Sequence, residues 1–326
     1  MLGEISDFVF KNIELSKAIS YSGQNHVIPL YHTVSDLPLP HIKNLYKVKS
    51  ISEFKKDVDF FLKHYHSVNI HDLIIHLKNK DKNKSVFHLT FDDGLKEIVT
   101  IIAPILLEKG IHATFFINPD FLNNQTLFYR FKASLLINRL EQIGSHDYTL
   151  KEINEKLNNC VGKTIKEKLL NVSYLNKEVL DEIADLLNVD FNEFLKTEPF
   201  VNDQDIEWLI RKGFTIGAHS FDHPLFAQIP LKEQLYQAEE SMNFLKEKYS
   251  IGDRLFAFPF TDKGVTADFF KAVNDKEPTF FFGTSGLKYD LVNLNFQRLP
   301  MENNLLATHA FVKYQYIKNA FRLGND

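Results

Sequence analysis

What most constrains the fold of this chain is a β-forming run that ends abruptly on charge. Val86-Phe87-His88-Leu89-Thr90-Phe91 leads straight into Asp92-Asp93-Gly94. A short run this rich in aromatic and β-branched residues suits a strand inside a sheet, and Gly94 lets the backbone turn where the two carboxylates must converge. Neighbouring side chains at a strand end point to opposite sides. One carboxylate is therefore free to bind a metal ion while the other stands beside it as a base. The pattern returns downstream, where Thr215-Ile216-Gly217-Ala218 ends on His219-Ser220-Phe221-Asp222-His223. Histidines four residues apart are expected on one face of a helical turn. With a carboxylate from another strand they make three ligands and leave coordination positions for water and substrate.

Further apolar runs, near 26–32, 113–117, 255–258, 279–283 and 294–299, alternate with helical patterns. Ser52 to His64 carries Phe54, Val58, Phe61 and Leu62 at helical spacing, and Leu231 to Tyr249 carries Leu235, Ala238, Met242 and Leu245 on one face. Such alternation predicts a parallel α/β fold with its functional residues at the C-terminal ends of the strands. Residues 119–201 interrupt the rhythm with several helical patterns and little strand character. They are expected to form a helical insertion that walls or covers the cleft, stabilises the fold, or mediates oligomer contacts. Phe128, Tyr129 and Phe131 in it are candidates for stacking on a ligand face, although their spacing suits core packing better.

Thr90-Phe91-Asp92-Asp93-Gly94 together with His219-Ser220-Phe221-Asp222-His223 resembles the first two motifs of the polysaccharide deacetylases (NodB homology, carbohydrate esterase family 4). Leu255-Phe256-Ala257-Phe258-Pro259-Phe260 resembles the family's next strand, and Tyr31-His32 resembles a Tyr-His pair seen in many members. The resemblance covers roughly 26–120 and 203–300. It implies a distorted (β/α) barrel, a divalent metal held by Asp93, His219 and His223, Asp92 as catalytic base, and an N-acetylated amino sugar as substrate. It also points to Tyr31, His32, Pro259 and Phe260 as substrate-binding residues. Many members carry an arginine that orients the base where this chain has Ala257, and a glycine where it has Thr261; the Phe-Ala-Phe-Pro version resembles some poly-N-acetylglucosamine deacetylases. The late leucine-x-histidine motif that supplies the general acid has no counterpart. The corresponding strand, Asn293 to Pro300, offers Arg298 instead, and His309 reads as an ordinary surface or core histidine.

Amide hydrolysis fits these residues: a metal acts as Lewis acid on the acetyl carbonyl, and Asp92 takes the proton of the attacking water. A backbone N–H near Phe260 is a candidate oxyanion donor, and without a separate acid Asp92 would return its proton to the leaving amine. Two imidazoles and a carboxylate suit Zn²⁺, while Co²⁺, Ni²⁺ and Fe²⁺ accept the same set. Asp222 is a candidate to orient the histidine rings. Two other readings keep the same pocket: a carbohydrate-binding protein without turnover, which an intact Asp92 argues against, and a hydrolase of a non-sugar amide.

At 326 residues and 44% hydrophobic content the chain can bury a large core, and we expect a single catalytic domain over 1–326. A net charge of −4 gives no global attraction to nucleic acid or anionic membranes. The basic run Lys78 to Lys84 reads as a solvated loop. The single cysteine, Cys160, excludes an intramolecular disulfide. Met1 to Phe8 places acids where a secretory signal begins basic, and no stretch of about 18 apolar residues occurs. A cytoplasmic enzyme is the expected setting, with the inner membrane face as a candidate place of action and oligomeric state left open.

Overall fold

The computed structural model describes residues 13–79, 84–143, 147–302 and 306–323; Met1 to Phe8, Lys80 to Asn83 and Asn304-Leu305 lie outside the described residues. Eleven short strands are described: β1 (His26–Val27), β2 (Pro29–Tyr31), β3 (His66–Ser67), β4 (Val86–Phe87), β5 (Leu89–Phe91), β6 (Ala113–Ile117), β7 (Thr215–Ala218), β8 (Leu255–Ala257), β9 (Phe280–Gly283), β10 (Asn295–Gln297) and β11 (Leu299–Pro300). The expected strand 294–299 is interrupted at Arg298, and two others are broken in the middle, at Ile28 and at His88. Their first halves, β1 and β4, join β3, which the sequence pattern does not reveal, in a three-stranded parallel sheet. Their second halves enter the barrel.

The barrel is an eight-stranded parallel sheet in the order β10-β9-β8-β7-β6-β5-β2-β11. Its first and last strands are separated in sequence by Arg298 alone. Arg298 N donates to Gly283 O at 3.1 Å and Leu299 N to Ile28 O at 2.8 Å, so the chain leaves β9 and joins β2 within two residues. This seam brings the two edges of the sheet together. Both faces of the strands are buried: Phe116, Leu255, Ala257 and Phe282 pack in one cluster, and their neighbours Phe115, Phe256 and Phe281 in another, under the helices. Gly217 is required by this packing, since a Cβ there would lie 2.6 Å from the Phe116 ring.

The outer helices follow the apolar periodicity. Ile51–His64 starts with a capping box between Ser50 and Glu53 and buries Phe54, Val58 and Phe61; Leu231–Tyr249 buries Ala238, Met242 and Leu245. Leu62 and Leu235 fall at the margins of these stripes. Residues 119–201 carry helices from Pro119–Asn124 to Phe191–Leu195 and pack, together with Ile42 and Leu95, around a second apolar cluster that includes Phe121, Phe128, Phe131, Leu136, Leu180, Ile183 and Phe200. No helix among the described residues is long and apolar enough to cross a membrane.

Candidate active site

Strand geometry brings the two sequence motifs together at one end of the barrel. β5, β6 and β7 are adjacent and in register, so Asp92-Asp93 and His219 leave neighbouring strand ends on the same side. Asp93 and Gly94 have φ of 72° and 65°, a tight left-handed turn for which Gly94 is the favourable residue. The histidines are not on a helical turn as the spacing suggested. Residues 219–223 form a loop in which Ser220 and His223 both have positive φ, and Ser220 Oγ accepts from the His223 N–H at 3.0 Å. That loop, not helical periodicity, turns the second imidazole back toward the first.

His219 Nε2 lies 3.4 Å from Asp93 Oδ1, and His223 Nε2 lies 3.2 Å from the same oxygen. The ligand atoms of these three buried residues all fall within 4.8 Å of one another. Asp93 Oδ1, His219 Nε2 and His223 Nδ1 have no hydrogen-bond partner among the described residues. Tetrahedral ligands about 2.1 Å from one ion stand roughly 3.4 Å apart, so a divalent metal fits the trio and would satisfy the stranded Asp93 and His219 atoms. His219 Nδ1 faces Ala257 O at 2.9 Å, which sets the tautomer with Nε2 bare toward Asp93. Burial alone would raise the Asp93 pKa, but His223 and His219 hold it well below the usual range; burial also drives the His223 pKa down. Both trends favour the ligand forms of these groups.

Asp92 is held by a different partner. Arg298 Nη1 donates to Oδ1 at 2.6 Å and Nη2 to Oδ2 at 2.8 Å, while Nε donates to Gly283 O at 3.2 Å and the guanidinium lies 5.2 Å from the Phe116 ring centre. Arg298 is fully buried, its fork is committed to Asp92 and it does not line the cleft, so it is no stand-in for the missing acid. It is the tether of Asp92, reaching from the barrel seam to the carboxylate that an arginine in place of Ala257 would orient in relatives. Burial would raise the Asp92 pKa, but Arg298 and His219 bring it below the ordinary carboxylate value. Each carboxylate oxygen keeps a further lone-pair site beyond the fork.

A cleft of about 450 Å³ opens over these groups, lined by His32, Tyr46, Asp92, Asp93, Phe128, Arg130, His223, Phe260 and Thr284 among others. Of the four expected substrate contacts, His32 and Phe260 reach it. Tyr31 does not: its ring is wholly buried and its hydroxyl donates to Asp57 at 3.0 Å. Pro259 is buried beneath the rim and is not among the lining residues. His309 is exposed at the start of Thr308–Leu323 and lines a separate cavity with Lys47 and Lys56. Asp222 touches neither imidazole. Its carboxylate accepts from Tyr174 Oη at 2.7 Å, Lys177 Nζ at 2.7 Å and Gln237 Nε2 at 2.7 Å.

Sequence reasoning missed Glu302. It accepts from the His32 backbone N–H at 2.8 Å and faces His32 Nδ1 at 2.6 Å. Burial pulls the imidazole pKa down, but Glu302, Asp93 and Asp92 outweigh it and raise His32 to about 10. The cleft therefore pairs a carboxylate whose pKa is lowered, Asp92, with an imidazole whose pKa is raised, His32. No local signal marks Glu302, which lies 270 residues from its partner.

The sequence profile of the polysaccharide deacetylase family matches residues 79–280. This chain belongs to that family. It is accordingly a hydrolase acting on carbon–nitrogen bonds other than peptide bonds, and its near-closed α/β barrel is of the polysaccharide deacetylase type. IcaB from Ammonifex degensii shares 13% identity at a TM-score of 0.57, over 90% of this chain and 97% of that one. The Streptococcus pyogenes deacetylase PplD, solved with acetate, shares 14% at 0.55, over 89% and 97%. The BpsB deacetylase domain from Bordetella bronchiseptica shares 9% at 0.51, over 85% and 95%. At these identities the likeness is one of fold. No curated protein matches the chain.

Proposed function

We propose that this polysaccharide deacetylase is metal-dependent and hydrolyses the N-acetyl group of an amino sugar in a polysaccharide, oligosaccharide or glycan precursor. The observation that carries the reading is the buried Asp93–His219–His223 trio beside a carboxylate, Asp92, that Arg298 locks in place. An ion held by the trio, zinc first and cobalt, nickel or iron with the same ligands, would polarise the acetyl carbonyl and acidify water. The remaining steps belong to the chain.

Asp92 takes the proton of the attacking water through a lone pair that Arg298 leaves free. The guanidinium keeps the resting carboxylate ionised, ready to accept that proton, and removes its freedom to turn. His32 then protonates the departing amine. Glu302 holds its Nδ1 side and keeps the ring charged, leaving Nε2 to give up the proton. This assignment replaces the scheme in which Asp92 both takes and returns the proton. Phe260 and Phe128, with ring centres 6.2 Å apart, supply apolar surface for a sugar face. Residues 119–201 act as an insertion within one catalytic domain and wall the cleft. A chain with a single cysteine agrees with a cytoplasmic setting, where a lipid-linked precursor would be met at the inner membrane face.

The test is acetate release from N-acetylglucosamine oligomers and lipid-linked N-acetyl sugars by metal-loaded wild type, Asp92→Asn and His219→Ala. Release by wild type alone, with metal content lost in His219→Ala and kept in Asp92→Asn, is the expected result. Stoichiometric metal in wild type with no acetate from any substrate would sink the reading.

A further inference from the structure

Arg130 is a cation in the catalytic cleft for which the hydrolysis above has no use. It sits in the first turn of Tyr129–Ile143, in the helical segment, and lines the same cavity as His32, Asp92, Asp93 and Phe260. The other charges of the cleft are matched: Arg298 on Asp92, Glu302 on His32, two imidazoles on Asp93. Arg130 has no such match. Its Nη1 donates to Leu170 O, its ionisation is opposed chiefly by burial, and no carboxylate lies within ion-pair distance among the described residues. A guanidinium carries five donors, and a half-buried one left without an anion is costly unless a ligand supplies it.

We propose that Arg130 reads an anionic substituent on the substrate, so that this enzyme works on an acidic N-acetylated glycan and discriminates against a neutral one. The inference rests on the deacetylase reading. A uronate carboxylate and a phosphate ester present the same chemistry, paired oxygens that a guanidinium fork takes in bidentate fashion. Phe128, two residues earlier, lies against His223 with ring centres 4.3 Å apart, so Arg130 reaches the cleft from an element already seated on the reacting centre. Chemistry and selectivity then come from different stretches of chain.

The test compares metal-loaded wild type, Arg130→Gln and Arg130→Lys on three probes: a tetrasaccharide of alternating glucuronate and N-acetylglucosamine, N-acetylglucosamine 1-phosphate, and neutral tetra-N-acetylchitotetraose. Wild type is expected to favour one acidic probe in kcat/KM, and which one identifies the anion. In Arg130→Gln the acidic-to-neutral ratio should fall by about 30-fold, mainly through KM, with partial recovery in Arg130→Lys and a weaker preference at high salt. Equal losses on all three probes with a lowered Tm would make Arg130 a structural clasp on Leu170 and overturn the proposal, as would a wild type indifferent to charge. Calorimetric binding of the same probes separates this from the underlying activity. Acidic probes that bind wild type but not Arg130→Gln support the role of Arg130 even if no acetate is released, whereas absent turnover condemns only the deacetylase reading.

Discussion

The barrel side of the cleft and its helical side are held by different kinds of force. On the barrel side, the polar groups of the site are tied by directed hydrogen bonds: Asp92 by two bonds from Arg298, His219 by the Ala257 carbonyl, His32 by Glu302. On the helical side, residues 119–201 stand on a second apolar cluster, shared with Ile42 and Leu95, and bond to the catalytic loops at a few points. Val201 N donates to Gly94 O at 2.9 Å, Asp120 N to Phe221 O at 3.2 Å, and Tyr174 and Lys177 grip Asp222. The segment thus leaves and returns beside the two motifs. The difference implies that changes on the barrel side alter chemical steps, while changes on the helical side act through a few tethers and through the cleft contacts of Phe128 and Arg130.

The sharpest test of that contrast is the seam residue. Arg298→Met should lower kcat about 100- to 1,000-fold, because it frees the base and leaves a buried carboxylate without its cation. Without Arg298 the Asp92 pKa rises. Since activity requires the ionised form, the acid limb of the pH–rate profile should move to higher pH; an unmoved limb would deny the tether. His32→Asn should cost about 10- to 100-fold and flatten the alkaline limb. The wild-type acid is lost as pH climbs through a value near 10 in the structure without an ion, and a bound cation would draw that value down. A variant that retains both full rate and alkaline limb would restore the single-carboxylate scheme.

Stability against pH compares the two sides directly. His26 and His88 beneath the barrel are lowered by burial to about 3 and about 4, and His41, packed on Phe131 and Phe194 of the helical segment, to about 4. Their folded pKa values lie below the unfolded one, so the unfolded chain binds more protons on acidification. Stability is full above pH 6.5 and is lost as pH falls toward 4, by up to about 1.4 kcal/mol per pH unit for each histidine. Melting curves between pH 7 and 5 should show this, and His41→Phe should lessen the slope. A pH-independent Tm would remove these histidines from the account. The smallest effect is expected from Asp222→Ala, which cuts a tether between the two sides. We expect about a fivefold weaker metal affinity through a looser His223 loop and little change in Tm; unaltered affinity would detach the helical segment from the metal site.

Much of the site could be read locally. Asp92, Asp93 and the His219–His223 pair are legible because each follows an apolar run that can only be a buried strand, and Leu231–Tyr249 because its apolar face repeats at helical period. The helical turn expected for 219–223 failed because two residues there adopt positive φ, which side-chain spacing does not encode. Tyr31 was misread because a Tyr-His pair at a strand end gives no sign of which ring faces the core; pleating sends His32 to the cleft and Tyr31 to Asp57.

By itself the sequence determined the regions of the barrel strands, the outer helices and the chemical character of the two motifs, since these depend on residues close together in the chain. Only the tertiary structure decided that Arg298 serves Asp92 across 206 residues, that Glu302 charges His32, and that Arg130 enters the cleft. Those relations arise where the closing barrel brings its edges together and where the helical segment folds back on the strand ends. Burial then makes each charge depend on a partner that no local pattern names.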